Sequence, residues 1–191
     1  MAKFVITGAS GAGKSTLIAA LAAQGYPTVP ETGRQIVAEQ VARQGSALPW
    51  LDQAAFMDLL FARSIAAFVH TAGTAEGCVF FDRSFLEAIA YGAVIARPAP
   101  ETMLQAAHER RFANPVFVCP PWREIFAQDR ERQHDFEFAR TDYAANIATY
   151  AAAGYELVEV PRAFVSERVA FIQQRLGDLS GHQPSNPAGK R

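Results

Sequence analysis

Sulfur is scarce in this chain. Two cysteines, Cys78 and Cys119, are spread over 191 residues, each inside a short apolar run. A disulfide framework is thereby excluded for a reducing compartment, and both thiols read as buried core groups. The four histidines, His70, His108, His134 and His182, are scattered, so no zinc-type spacing exists. An excess of one charge is missing too. A formal net charge of -1 gives no bulk attraction for nucleic acid or an anionic membrane. No apolar run reaches the roughly 18 residues needed to span a bilayer. Met1-Ala2-Lys3 and the apolar Phe4-Val5-Ile6 pass straight into glycines, without a signal-peptide core or cleavage site. The expectation is a cytoplasmic protein with no nucleic-acid and no membrane partner, its oligomeric state left open. There is no internal repeat and no interdomain linker.

What the chain does have is an ordinary globular balance, 50% hydrophobic and 19% charged, enough to bury a substantial core. Short apolar runs alternate with longer helical stretches. Strands are predicted at Lys3–Thr7, Thr28–Pro30, Cys78–Asp82, Val116–Cys119 and Glu156–Val160. The second is short and flanked by prolines, which suits an edge position. Helices are predicted at Lys14–Gln24, Arg34–Gln44, Asp52–Thr71, Phe85–Ala96, Glu101–Phe112, Trp122–Gln128, Tyr143–Ala153 and Ser166–Leu176. Strand–helix alternation of this kind implies an α/β fold, a mostly parallel sheet covered on both faces, with ligands at the carboxyl ends of its strands. Residues 1–176 form the domain. Gly177–Arg191, almost devoid of apolar side chains, reads as a mobile tail.

The most specific signal lies between the first strand and first helix. Gly8-Ala9-Ser10-Gly11-Ala12-Gly13-Lys14-Ser15 fits G-x-x-x-x-G-K-[ST], and it stands in the required strand–loop–helix context. Its glycines let the backbone approach a phosphate, and successive N–H groups with the helix dipole form an anion cradle. Gly8, Ser10, Gly11, Ala12, Gly13, Lys14, Ser15 and Thr16 are the expected nucleotide contacts. Lys14 is expected as a solvent-facing charge for the β- and γ-phosphates, with no packing role. The Ser15 hydroxyl is the expected Mg²⁺ ligand. No N-K-x-D motif exists, and the one D-x-x-G, from Asp178 to Gly181, falls in the tail; the cofactors expected are therefore ATP and Mg²⁺.

Polar residues follow the other strands. Asp82 ends the third and either orients the metal through water or caps the next helix. Arg83 beside it would meet a phosphate or a substrate anion. Glu31, after the second strand, either acts as general base toward an acceptor hydroxyl or is a first-turn acid favoured by the helix dipole. Arg34 would bind an anionic group of that acceptor. Trp50 would stack on the acceptor or simply pack the helical arm. The stretch from Trp122 to Arg132 is rich in arginine, and Arg130 and Arg132 are the candidates for a catalytic lid near 128–136. Interleaved acids make a salt-bridged helix the competing reading. Arg162, after the last strand, is either an adenine-edge residue or an ordinary surface arginine.

Several phrases together resemble a known family: Phe4 to Thr16 around the loop, Gly25-Tyr26-Pro27-Thr28-Val29-Pro30-Glu31-Thr32-Gly33-Arg34, Phe80-Phe81-Asp82-Arg83, Cys119-Pro120-Pro121-Trp122-Arg123, and Gly154 to Arg162. They look like the AAA_28, NadR-type P-loop ATPases, over roughly residues 2–176. That family is similar in layout to ribosylnicotinamide kinase and thymidylate-kinase-like enzymes. The resemblance implies a P-loop NTPase three-layer sandwich with five parallel strands in the order 2-3-1-4-5 and a lid after the fourth strand. It also implies a D-R pair at Asp82-Arg83 and an acceptor-side carboxylate at Glu31. Two functions follow as expectations: a small-molecule kinase acting on a nucleoside- or nucleotide-like acceptor, or a regulatory ATPase or binding module without one. A third, weaker reading is a nucleotide-binding protein with a purely structural lid.

Overall fold

In the computed structural model, which describes residues 1–71, 77–127 and 135–181, strands and helices alternate nearly throughout. The strands are β1 (Ala2–Gly8), β2 (Thr28–Val29), β3 (Cys78–Asp82), β4 (Val116–Cys119) and β5 (Leu157–Glu159). All pair in parallel, in the order β2-β3-β1-β4-β5, so β1 is central and the short, proline-flanked β2 lies at an edge. This is the order that the family resemblance implied. The helices are α1 (Lys14–Ala23), α2 (Thr32–Ala42), α3 (Gln53–His70), α4 (Leu86–Val94), α5 (Glu101–His108), α6 (Phe136–Ala152) and α7 (Val165–Gly181).

Side chains alternate across a strand, so each central strand feeds two cores. Phe4 and Ile6 join Phe80, Phe117, Leu17, Leu21 and Ile172, which seats α1 and α7 on one face. Val5 and Phe81 join Val116, Val118, Phe85 and Tyr150, which seats α4 and α6 on the other. A third cluster, built from Ile36, Phe56, Met57, Leu60 and Tyr91, ties α2 and α3 to α4 outside the sheet. Each large apolar side chain so buried contributes about 1.5–3 kcal/mol. The third cluster forms the floor of a cavity beside the strand ends.

Besides α5, which ends at His108 and not at the expected Phe112, three stretches depart from the sequence expectation. The described part of the helix expected at Trp122–Gln128, residues 122–127, does not form an α-helix, and Gln128 lies outside the described residues. Pro120 and Pro121 hold the chain extended into Trp122, and only a 3-10 turn follows, Arg123–Ile125. This path returns Phe126 to the phosphate loop, where a Cβ on Gly11 would stand 2.6 Å from the phenyl ring. The sixth helix starts at Phe136, seven residues before the expected Tyr143, because Asp135 caps it by accepting from the Phe138 amide at 2.8 Å. The last helix runs on to Gly181, five residues into the stretch read from composition as tail. The remaining tail residues, 182–191, and the lid arginines Arg130 and Arg132 lie outside the described residues.

Candidate functional site: a phosphate loop with an adjoining cavity

The turn after β1 is built for backbone, not side chains. Gly8 has φ +126°, and a Cβ there would lie 2.0 Å from the Cys119 carbonyl oxygen at the end of β4. Only glycine closes that contact. Gly11 and Gly13 also have positive φ, and Gly13 is the residue before α1. No acidic side chain stands in the first turn of α1, so the positive end of its dipole is left for a ligand. A cavity of about 410 Å³ opens over this turn, lined by Ser10, Gly11, Gly13, Lys14, Ser15 and Thr16. Ser15 and Thr16 are exposed to it.

Lys14 departs from expectation. It is only 5% exposed, and its ammonium donates to the Gly8 and Ala9 carbonyls at 3.2 and 2.6 Å. Burial, with help from the Arg83 charge, lowers its pKa to about 8. It is a desolvated cation folded onto the loop, not a solvent-facing one. A poorly hydrated cation has less hydration to lose when it meets a phosphate, and its stem packs.

The carboxylates converge from neighbouring strand ends. Asp82 is the last residue of β3, whose register puts it beside Ile6 of β1. It caps no helix, since α4 begins after Phe85. Its Oδ1 is buried without a hydrogen-bond partner, and burial together with the Glu31 carboxylate pushes its pKa up to about 6. Glu31 precedes α2 but makes no capping bond. It accepts instead from Arg34 Nε at 3.1 Å and pairs with Arg83 Nε at 3.3 Å, a contact too poorly angled to be a hydrogen bond. Burial acts to raise the Glu31 pKa, but Arg83, then Lys14 and Arg34, outweigh it and hold the carboxyl below its ordinary range. Arg83 itself has φ +69°, an uncommon conformation for a side chain of that size. That backbone aims its guanidinium among Glu31, Glu87 and Asp142, the last two at 3.9 Å. Burial opposes its charge, yet these acids win and raise its pKa.

A second cavity of about 390 Å³ continues from the first. The two share Ser10, Glu31, Arg34 and Arg83 as a common wall. Asp82, Trp50 and Asp142 line the second, and Phe56 and Tyr91 form part of its apolar floor. Trp50 is 45% exposed and lines this cavity. Arg162 lines neither cavity; it is exposed and donates to the Pro121 carbonyl at 3.0 Å.

Sequence reading did not single out four residues that the fold brings here. Asp142 and Phe138 arrive from α6. Glu87 is buried, accepting from Thr7 Oγ1 at 2.5 Å, the Ser84 amide at 2.7 Å and the Tyr150 hydroxyl at 2.9 Å. Its isolation in the otherwise apolar stretch of α4 was the one available signal. Arg168 of α7 is 4% exposed and lies behind the phosphate loop. It donates to the Ala12 and Gly13 carbonyls at 3.2 and 3.3 Å and to the Cys119 sulfur at 3.0 Å. Nothing in its local sequence marks it.

This geometry defines an α/β P-loop protein with the strand order of small kinases. The chain belongs to the AAA_28 family of AAA domains, whose profile matches residues 3–168. None of the curated protein sequences matches it. Among solved structures, thymidylate kinase from Candida albicans superposes with a TM-score of 0.69 at 15% identity, covering 95% of this chain and 93% of that one. Deoxyadenosine kinase from M. mycoides, with dCMP and dCDP bound, gives 0.62 at 16%, covering 92% and 99%. YorR protein from Bacillus subtilis, in complex with phosphorylated GDP, gives 0.57 at 16%, covering 95% and 99%. At such identities the likeness is one of fold. No helix among the described residues is long and apolar enough to cross a membrane.

Proposed function

We propose that the protein is a small-molecule kinase that transfers the γ-phosphoryl group of ATP to a hydroxyl of a nucleoside- or nucleotide-like acceptor. The observation that carries this reading is the pair of adjoining cavities, one on the phosphate loop and one beside it, with Glu31 in their common wall. A hydrolase has no need of a second, largely apolar cavity at that seam.

In the proposed reaction the acceptor oxygen attacks the γ-phosphorus. The bond from that phosphorus to the β,γ-bridging oxygen breaks, and ADP leaves. Glu31, ionised because Arg83, Lys14 and Arg34 hold its carboxyl down, takes the hydroxyl proton. The loop amides and Lys14 hold the phosphates, and positioning supplies most of the rate. Arg130 and Arg132 are assigned to closure over the triphosphate, Arg34 and Arg83 to setting Glu31. Arg162 keeps its assignment to the adenine side, by its place after β5.

The residues present fit Mg²⁺. Asp82 offers a buried carboxylate oxygen without a partner, and the Ser15 hydroxyl is exposed at the first turn of α1. Among the described residues no group of three acidic, histidine or cysteine side chains could hold a metal by itself; an ion here would take its remaining ligands from phosphates and water. Bound there, it would neutralise charge on the transferring phosphate.

The test is a panel of nucleosides, nucleotides and ribosylated cofactor precursors, reading ADP release and product mass together. A phosphorylated product is expected, with the acceptor-dependent rate falling roughly 10²–10⁴-fold in Glu31→Gln and ATP affinity kept. Steady hydrolysis without product, indifferent to every compound, would replace the kinase by the regulatory ATPase.

A further inference from the structure

The two named kinases of this fold differ in one respect that the second cavity speaks to: deoxyadenosine is a nucleoside, whereas thymidylate already carries a phosphate. Resting on the phosphotransferase reading, we propose that the acceptor carries no phosphate of its own: it is a compound with a flat apolar ring system and several hydroxyl groups, of nucleoside type, and not a nucleoside monophosphate.

The charge in the cavity carries the argument. Its described lining includes four carboxylates, Glu31, Asp82, Glu87 and Asp142, against two guanidiniums, Arg34 and Arg83. Setting Asp82 aside for a metal still leaves three against two. Both guanidiniums are already answered. Arg34 donates to Glu31 at 3.1 Å. Arg83, only 14% exposed, faces Glu31 at 3.3 Å and Glu87 and Asp142 at 3.9 Å. A dianionic phosphate entering this space would meet like charge, and to gain a cation it would have to draw Arg83 from its buried acids or the half-exposed Arg34 from Glu31. Recognition of a phosphate calls for the opposite arrangement, an arginine fork open to bidentate contact.

The remaining lining suits the other half of the proposal. Carboxylates only accept hydrogen bonds; Glu87 is taken up by Thr7, Ser84 and Tyr150, so Glu31 and Asp142 are the acids this wall offers to the O–H and N–H donors of a ligand. Phe56 and Tyr91 pack edge to face at 5.5 Å in the floor. Trp50 and Phe138, 45% and 39% exposed, present ring surface to the same cavity. A volume of about 390 Å³ lies at the small end of ligand sites. With such an acceptor the transfer is as written above: the acceptor oxygen bonds to the γ-phosphorus, ADP departs, and the proton passes to Glu31.

The experiment compares adenosine, cytidine and thymidine, each against its own 5′-monophosphate, with the full chain, ATP and Mg²⁺, reading ADP release and product mass. At least one nucleoside should be phosphorylated with kcat/KM about 100-fold or more above its monophosphate. Asp142→Asn, which removes one carboxylate facing Arg83, should narrow that ratio by roughly tenfold; an unchanged ratio in the folded variant would overturn the charge argument. Monophosphates used as well as or better than nucleosides by the wild-type chain would overturn this inference and leave the kinase standing. Hydrolysis unaffected by these six compounds and by the wider panel above, with no product, would overturn the kinase reading and this inference with it. The wild-type comparison decides even if Asp142→Asn does not fold.

Discussion

Replacing Lys14 by methionine keeps an unbranched side chain of similar reach and removes only the buried charge. The ammonium is 5% exposed, and burial with the Arg83 charge lowers its pKa from 10.5 to about 8. At 1.36 kcal/mol per unit, keeping the proton in the folded chain costs about 3 kcal/mol. The sign follows from linkage. Below about pH 8 both folded and unfolded chains hold the proton, and the full cost is present. Between about 8 and 10.5 the folded chain has released it while the unfolded chain retains it, so stability rises with pH. Above 10.5 both are neutral and the cost is gone. The methionine variant has no such proton. Urea unfolding of both proteins from pH 7 to 10.5 should therefore show the wild type gaining about 3 kcal/mol relative to the variant. Bonds lost to the Gly8 and Ala9 carbonyls shift the variant by a fixed amount and drop out of that difference. A wild-type-minus-variant gap that stays flat across this range would refute the picture of a desolvated ammonium. The same variant should lose the rise in stability that ATP brings, which reaches about 2.7 kcal/mol for wild type at a hundredfold excess over Kd. An unchanged rise would remove Lys14 from the phosphate site.

Arg168→Gln takes away the donors on the Ala12 and Gly13 carbonyls and should lower stability by about 2–3 kcal/mol and ATP affinity by about tenfold, measured by denaturation and calorimetry. Arg168→Lys should not restore it, because one ammonium cannot reproduce the fork; full rescue would show that charge alone matters there. Gly8→Ala should cost more than about 3 kcal/mol, since its Cβ would fall 2.0 Å from a β4 carbonyl. Gly25→Ala, with positive φ but nothing within 4 Å, should cost only about 1 kcal/mol. Equal costs for the two glycines, by thermal unfolding, would contradict the tight β1–β4 contact.

The local signals were the ones sequence could carry. A phosphate loop is a contiguous stretch, so its glycines, its lysine and the flanking strand and helix are legible together, and four of the five strands come from runs of Val, Ile and Phe. Glu31 and Asp82 were legible because one stands just past a strand and the other ends one, and strand ends in a parallel sheet face the ligand. The stretch after β4 misled because Trp122-Arg123-Glu124-Ile125 has helix-compatible composition, whereas the preceding prolines and the docking of Phe126 on Gly11 set its path.

Sequence alone therefore determined which side chains stand at strand ends, because each strand and its direction follow from local pattern, whereas the order of the strands was given by the family resemblance. Only the tertiary structure decided the electrostatic state of the site. Arg83 comes to oppose Glu31, Glu87 and Asp142 from residues as much as 59 positions apart in the chain, and Arg168 reaches a loop 155 positions away. Solvation and charge balance depend on what is packed around a group in space, and no local window of sequence contains that neighbourhood.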